Sequence, residues 1–296
     1  MDTRNLDAEN LAAWCIVPYD TEKRTPTERA ELLTTLGLAG LVWDWREEHV
    51  AEFPAQVAAL VDHRLDLFGM WAPALIGSEH GSIDPAVRTF VAESKNAGFA
   101  PDLWACLDFG EPGPVETLDS ADATTRANEA AEHLLPLVDL AGENDMRIAL
   151  YNHLGWYGEP ENNVRIIERL SKQGRDNVGI VYQQHHGHHH LDRWEQMLST
   201  AAPHLFAIGL NGMVPGAHWG GRKIHPYGHG QDDQRLLEAL LAADCDPLVT
   251  ILCHTMDDAE LRLRDELDGL AVIRDRIAGQ SPALDEPRIP EPVWPH

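Results

Sequence analysis

Short apolar runs alternate along the chain with polar turns and with longer stretches whose apolar residues recur every three or four positions. Apolar runs of this length between turn residues read as buried strands, and the periodic stretches read as helices with one packed face. The runs at 12–17, 40–44, 65–71, 102–107, 147–152, 178–183, 205–211 and 248–254 predict strands. The gaps predict helices over 26–36, 50–62, 84–97, 121–143, 160–171, 191–200, 231–243 and 257–278. Thr25-Pro26 and Asp84-Pro85 each supply a capping oxygen followed by proline at the first helical position, where its fixed φ and missing N–H cost nothing. Eight strand–helix units of this spacing predict an α/β fold, a single-domain (β/α)8 TIM barrel over residues 1–278. A doubly wound sheet is the alternative, but no Gly-x-Gly-x-x-Gly follows the first strand. Residues 279–296 are proline-rich and aperiodic, and form a tail that drapes over the surface or over a neighbouring subunit.

Alternate residues of a barrel strand face the helices and the lumen. Bulky aliphatics claim the helix side, namely Ile148 and Leu150, Ile180 and Tyr182, Ile208 and Leu210, Val249 and Ile251. The complementary residues point inward, and the last inward residue of strands five to eight is then polar: His153, His185, Asn211 and His254. A slip of one residue would put Asn152 or His186 there instead. Both readings place polar ends at the C-terminal mouth, where barrel enzymes do their chemistry.

The sixth strand runs into Tyr182-Gln183-Gln184-His185-His186-Gly187-His188-His189-His190, five histidines within six residues. Any one of them has an ordinary structural role open to it. Aligned at strand ends, however, neutral imidazoles can ligate a divalent metal, and His153, His185 and His254 are the candidates. Carboxylates usually accompany such ligands, and none stands at the four strand ends; the nearest are Asp108, Glu111 and Glu159. His186, His188 and Asp108 are the candidates for moving a proton. After the first strand, Asp20 and Arg24 can hold a hydroxylated or anionic ligand, or simply cap a helix. Asn152, Asn211 and Trp156 complete the candidate substrate contacts. Trp43, Trp45, Trp71, Tyr157 and Trp219 also fall near strand ends, and aromatic faces among polar groups grip sugar rings. The long glycine-rich loop 211–230 covers the mouth and carries His218, His225 and His229.

Composition removes several function classes. The 48 acidic residues against 23 basic ones, net −25, repel a phosphate backbone, which excludes nucleic acid as a partner. Only four residues are lysine: Lys23, Lys95, Lys172 and Lys223. Cys15, Cys106, Cys245 and Cys253 lack metal-knuckle spacing and predict free thiols in a reducing compartment. The polar N-terminus shows no signal peptide and no apolar run reaches membrane-spanning length, so a cytoplasmic location away from membranes is expected. A homo-oligomer is compatible with all of this.

The segments Ala13–Asp20, Tyr151-Asn152-His153-Leu154-Gly155-Trp156, His185-His186-Gly187-His188 and Asn211-Gly212-Met213 resemble the sugar phosphate isomerase/epimerase family of xylose-isomerase-like TIM barrels, over roughly residues 10–278. The resemblance implies a small sugar substrate and a divalent metal (Mn, Zn, Co or Mg) held by Glu, Asp, His and Glu at the ends of strands five to eight. The equivalent positions here are at or beside Asn152/His153, His185/His186, Asn211 and His254, so the place matches and the ligand types differ. The implied activity is isomerisation or epimerisation of a sugar or keto-sugar by proton abstraction next to a carbonyl. Cleavage of a 3-keto-glycoside in the same pocket and a non-catalytic sugar-binding barrel are the alternatives.

Overall fold

The computed structural model describes residues 4–78, 81–109, 120–217 and 223–294. Eight strands pair in parallel in chain order: β1 (Leu11–Trp14), β2 (Gly40–Trp43), β3 (Asp66–Pro73), β4 (Asp102–Cys106), β5 (Ile148–Tyr151), β6 (Val178–Gln183), β7 (Leu205–Leu210) and β8 (Leu248–Leu252). β8 pairs back onto β1, so the sheet closes into the expected (β/α)8 barrel. Its outer ring is α1 (Pro26–Leu36), α2 (Phe53–His63), α3 (Pro85–Asn96), α4 (Ser120–Gly142), α5 (Pro160–Ser171), α6 (Trp194–Ala201), α7 (Asp233–Ala242) and α8 (Ala259–Ile277).

The local signals act as anticipated. Thr25 and Glu28 form a reciprocal capping box ahead of Pro26, and Asp84 accepts from the Ala86 N–H at the start of α3. Three boundaries shift by three residues, and others by one or two. β1 ends at Trp14, because Cys15 turns to a φ of 65° and leaves the ladder. Residues 47–52 and 188–193 wind as tight 3-10 turns, so α2 and α6 begin three residues later than the periodicity predicts.

Closure divides the apolar residues into two cores. Ile148, Leu150, Ile180, Tyr182, Ile208, Leu210, Val249 and Ile251 pack outward against the helices. Ala12, Trp14, Val42, Trp104, Ala149, Tyr151, Val181, Ala207 and Leu252 fill the lumen. The inward parity read from the sequence therefore holds for all four strands β5 to β8. Inward-facing Gly209 makes room for the side chain of Gln183, whose Oε1 would lie 1.8 Å from a Cβ at that position.

The tail stays on its own barrel. Arg288 pairs with Asp265 and Asp268 of α8, and the Met256 N–H donates to the Val293 carbonyl at 2.7 Å. Trp294 ends partly buried against the lumen cluster. All four cysteines are free thiols. Among the described residues no helix is long and apolar enough to cross a membrane.

Gly187 is the one residue type that fits its place in the histidine run, since a Cβ there would sit 1.9 Å from the Tyr182 hydroxyl. That hydroxyl bonds His190 Nδ1 at 2.7 Å inside the helix-facing layer. Gly187→Ala is expected to cost about 1–3 kcal/mol by overpacking, read as a lowered midpoint in chemical denaturation. An unchanged midpoint would mean that Tyr182 moves aside without loss.

Candidate active site

The floor of the mouth is aromatic. Trp14 of β1 lies 4.7 Å from Trp104 of β4 and 6.5 Å from Trp71 of β3, centroid to centroid, and Trp71 stands edge-on to Tyr151 of β5 at 5.0 Å. Such a surface packs against the C–H face of a small ligand.

Above it the imidazoles form a chain of ring contacts. His153 is 4.3 Å from His186, His186 is 3.9 Å from His185, and His185 meets His254 edge-on at 5.6 Å. Tyr19, from the loop after β1, covers His254 at 4.3 Å and has the Arg46 guanidinium 5.3 Å from its ring centroid. β8 and β1 thus meet β5 and β6 across the mouth. Both ring nitrogens of His185 are buried without a protein hydrogen-bond partner, as are Nδ1 of His186 and Nδ1 of His254. A buried polar atom left unmatched costs about 1–3 kcal/mol, and a chain that tolerates several in one place has a use for them. Backbone strain gathers there too. Cys15 and Leu154 adopt φ of 65° and 129°, conformations that non-glycine residues avoid.

Burial sets the protonation states. It holds the imidazoles of His185, His186 and His254 well below their ordinary range and His153 down at about 4, with the Lys223 charge adding to the effect on each. All four rings are therefore neutral at pH 7. At the far rim, burial raises Asp44 to about 7 against the pull of Arg46. Burial and Asp44 together push the Cys15 thiol well up, so it stays protonated.

The other expected residues are placed differently. His188 accepts from the Val214 N–H at 3.1 Å through Nδ1, which leaves Nε2 to donate to the Lys223 carbonyl at 2.8 Å. Its ring is a brace for the loop after β7. Asn152 bridges β5 to β6 by bonding both the carbonyl and the N–H of Gln183. Asn211 bonds the Gly212 and Lys223 carbonyls and the His225 N–H. Both amides are committed to backbone. Asp20 is buried on Arg24 and the Ala259 N–H, and Arg24 reaches on to Asp258, so this pair ties the first loop to the start of α8. Trp156 packs in the helix-facing core beside Tyr157, with Arg126 5.5 Å from its ring. Trp43 and Trp45 also belong to that core. Asp108 is exposed at the end of β4 and adds its charge at His153. Glu111, His218 and Trp219 lie outside the described residues.

The described parts of the loop after β7, residues 211–217 and 223–230, pack onto the mouth. Asp233 at the head of α7 accepts from the N–H groups of Met213, Gly228 and Gly230, and Ile224 inserts into the lumen cluster. This brings in a residue that the motifs passed over, Lys223, whose only advance signal is the scarcity of lysine in the chain.

The fit to the implied metal is poor. Strands five to eight offer imidazole and an occupied amide, with no carboxylate, and Lys223 adds a positive charge beside them. Among the described residues only Glu159, His189 and His190 bring three ligand atoms within 4.8 Å of one another. That cluster lies outside the lumen. Its carboxylate already accepts from both imidazoles and from Arg193, and these bonds hold it well below the usual range although burial opposes them. His153, His185 and His254 do not bring three ligand atoms within that distance of one another.

No protein-family model matches the chain, and no curated protein sequence does. Solved structures match in fold. A 3-keto-D-glucoside 4-epimerase from E. coli is similar over 90% of this chain and 98% of that one, with a TM-score of 0.62 and 14% identity. A D-psicose 3-epimerase determined in the presence of D-fructose gives 0.60 over 89% and 98%, also at 14% identity. An L-ribulose 3-epimerase gives 0.60 over 90% and 93%, at 15% identity. The chain thus has the fold of these sugar epimerases, in line with the sequence resemblance.

A histidine whose folded pKa lies below its unfolded value of about 6.5 stabilises the fold fully above that pH. The contribution is lost as pH falls towards the folded value, because the unfolded chain takes up the proton first. Unfolding midpoints of the wild type and His185→Gln, followed from pH 7.5 down to 4.5, are therefore expected to converge or cross as the pH falls. Parallel curves would show that His185 is not held neutral by burial.

Proposed function

We propose that the protein is a sugar isomerase or epimerase that removes a proton from the carbon next to a carbonyl. The observation that carries this reading is the row of neutral, buried imidazoles with unmatched nitrogens above an aromatic floor. Neutral imidazole accepts a proton near pH 7, and delivery of a proton to the opposite face of the enediolate completes the inversion beside a carbonyl. In this reading His186 moves the proton, with His153 and the exposed Asp108 beside it to relay it to solvent. His185 and His254 face the carbonyl oxygen and donate to it as the enediolate forms, the preorganised stabilisation that acyl and enolate chemistry share. Trp14, Trp71 and Tyr151 hold the ring face. Asn152, Asn211 and His188 keep strands and loop in register, and Asp20 and Arg24 anchor the first loop. No step runs through a metal.

The test is incubation with D-fructose, D-allulose, L-ribulose and a methyl 3-keto-glucoside in D2O, with NMR detection of deuterium entry beside the carbonyl and of new epimers. His186→Ala is expected to lower exchange about 10²–10⁴-fold. His185→Ala and His254→Ala should each cost at least about tenfold with the fold intact, since a single donor to a developing oxyanion is worth up to 10²–10³. Wild-type rates in all three variants would reject the assignment. Prolonged treatment with EDTA is expected to leave exchange unchanged, and loss of exchange restored by Mn, Co, Zn or Mg would overturn the metal-free reading.

A second reading shares the first step. One structural neighbour acts on a 3-keto-glucoside by name. Proton loss beside such a carbonyl can also expel the aglycone by elimination. Release of methanol from the methyl 3-keto-glucoside would favour this lyase reading, and epimer formation without release favours the first. Tight sugar binding without exchange or release would leave a binding barrel.

A further inference from the structure

We infer that Glu159, His189 and His190 form a binding site for a zinc-class divalent ion outside the barrel lumen, a site separate from the mouth and independent of the sugar reading. Glu159 caps the head of α5, and both histidines lie in the 3-10 turn 188–193 that leads into α6. Nε2 of His189 stands 2.8 Å from Oε1 of Glu159, and Nε2 of His190 stands 3.1 Å from the same oxygen. The two rings are 3.9 Å apart, so neighbouring residues turn their Nε2 atoms to one point. All three ligand atoms fall within 4.8 Å of one another. Two ligands bonded to one zinc at about 2.0–2.2 Å lie about 3.0–3.4 Å apart, so a single ion reaches all three with small side-chain movements.

The groups behind the ligands fix which atoms face inward. The buried Tyr182 hydroxyl bonds Nδ1 of the buried His190 at 2.7 Å, which leaves Nε2 turned to the carboxylate. Arg193 binds Oε2 of Glu159 with one nitrogen and Glu161 with another, and so holds the carboxylate plane with Oε1 on the imidazole side. A partner on the second ring nitrogen and a hydrogen-bonded carboxylate are the supports that orient metal ligands. Two carboxylates against one guanidinium leave the cluster negative, on a chain whose net charge is −25, and that field draws in a cation. His189 is the exposed member of the three and gives an ion its way in.

Two imidazoles and one carboxylate suit zinc and its neighbours, whereas Mg and Ca ask for a shell made almost wholly of oxygen. On binding, each Nε2 gives up its hydrogen bond to Glu159, and the ring carries its proton on Nδ1 instead. At His190 that proton is donated to the Tyr182 oxygen, which turns its own proton away. The ion fastens the turn 188–193 to α5, at the far end of the run that carries His185 and His186 to the mouth. The hydrogen bonds among the three groups hold them together ahead of any ion, so a chelator that strips it leaves the mouth in place, in keeping with the EDTA-resistant exchange expected above.

The test uses the full chain without an affinity tag, stripped with EDTA, dialysed and titrated with Zn(II) against a chromophoric chelator. The expected result is one ion per chain with a Kd at or below about 1 μM, no comparable binding of Mg(II) or Ca(II), and a denaturation midpoint raised by the zinc. His189→Ala removes an exposed ligand with little risk to the fold, and Glu159→Gln keeps an acceptor while removing the charge. Each is expected to weaken the affinity at least about tenfold, and Tyr182→Phe, which only positions His190, to weaken it about 10–100-fold. The mouth variant His185→Gln is expected to bind as the wild type does. No ion held against the chelator, an affinity that His189→Ala and Glu159→Gln both leave unchanged, equal binding of Mg(II), or loss of the ion in His185→Gln would each overturn the site, and none of them bears on the sugar reading.

Discussion

Four backbone pairings, from Leu11 with Val249 to Trp14 with Leu252, close the sheet between its first and last strands. Every contact at the mouth depends on that seam. His254 can meet His185, and Tyr19 can cover His254, only because β8 has been brought back to β1. The same seam fixes the depth of the lumen, where Trp14 and Trp104, on opposite arcs of the barrel, are forced into contact. An open sheet of the same strands would keep the helix-facing core and lose the pocket.

The mouth gathers groups that are uncomfortable singly. Neutral imidazoles with unmatched nitrogens, a buried carboxyl raised to about 7 and two strained backbone turns stand within one ring of strand ends. In the scaffold some polar groups are well served, while others, such as Arg262 of α8 and Asn163 of α5, are buried with unmatched side-chain atoms. Asp102 meets Arg147 in a two-point contact, Asp233 gathers three N–H groups, and Arg29 is held by Gln56 and Glu52.

The barrel was legible because each strand of β5 to β8 alternates branched aliphatics with small or polar residues, so period and parity carry the same message. The positions of His153, His185 and His254 at the mouth followed from that alternation. Their spacing from one another did not, since ring-to-ring distance depends on rotamers that a sequence does not display. Asn152, Asn211 and His188 were identified as polar and well placed, yet their hydrogen bonds go to backbone groups of loops whose paths no periodicity foretells. Tryptophan misled in one direction only. Trp43 and Trp156 face the helices, while Trp14 and Trp104 face in, and for residues in or beside strands this short one parity decides the matter. Lys223 had no pattern around it. It reaches the ring through a glycine-rich loop held by Asp233, a contact between segments that only the folded chain brings together.

The tail gives the mouth a second kind of dependence. Its course is set by ion pairs from Arg288 to the buried Asp265 and the exposed Asp268, and its end by the apolar contact of Trp294. Dissolved ions act on these in opposite senses: they screen exposed pairs, while strongly hydrated anions such as sulfate strengthen apolar burial. The cover over the pocket thereby senses the solvent through a strap anchored well away from it, and the ionic medium becomes a quantity that the site itself can register.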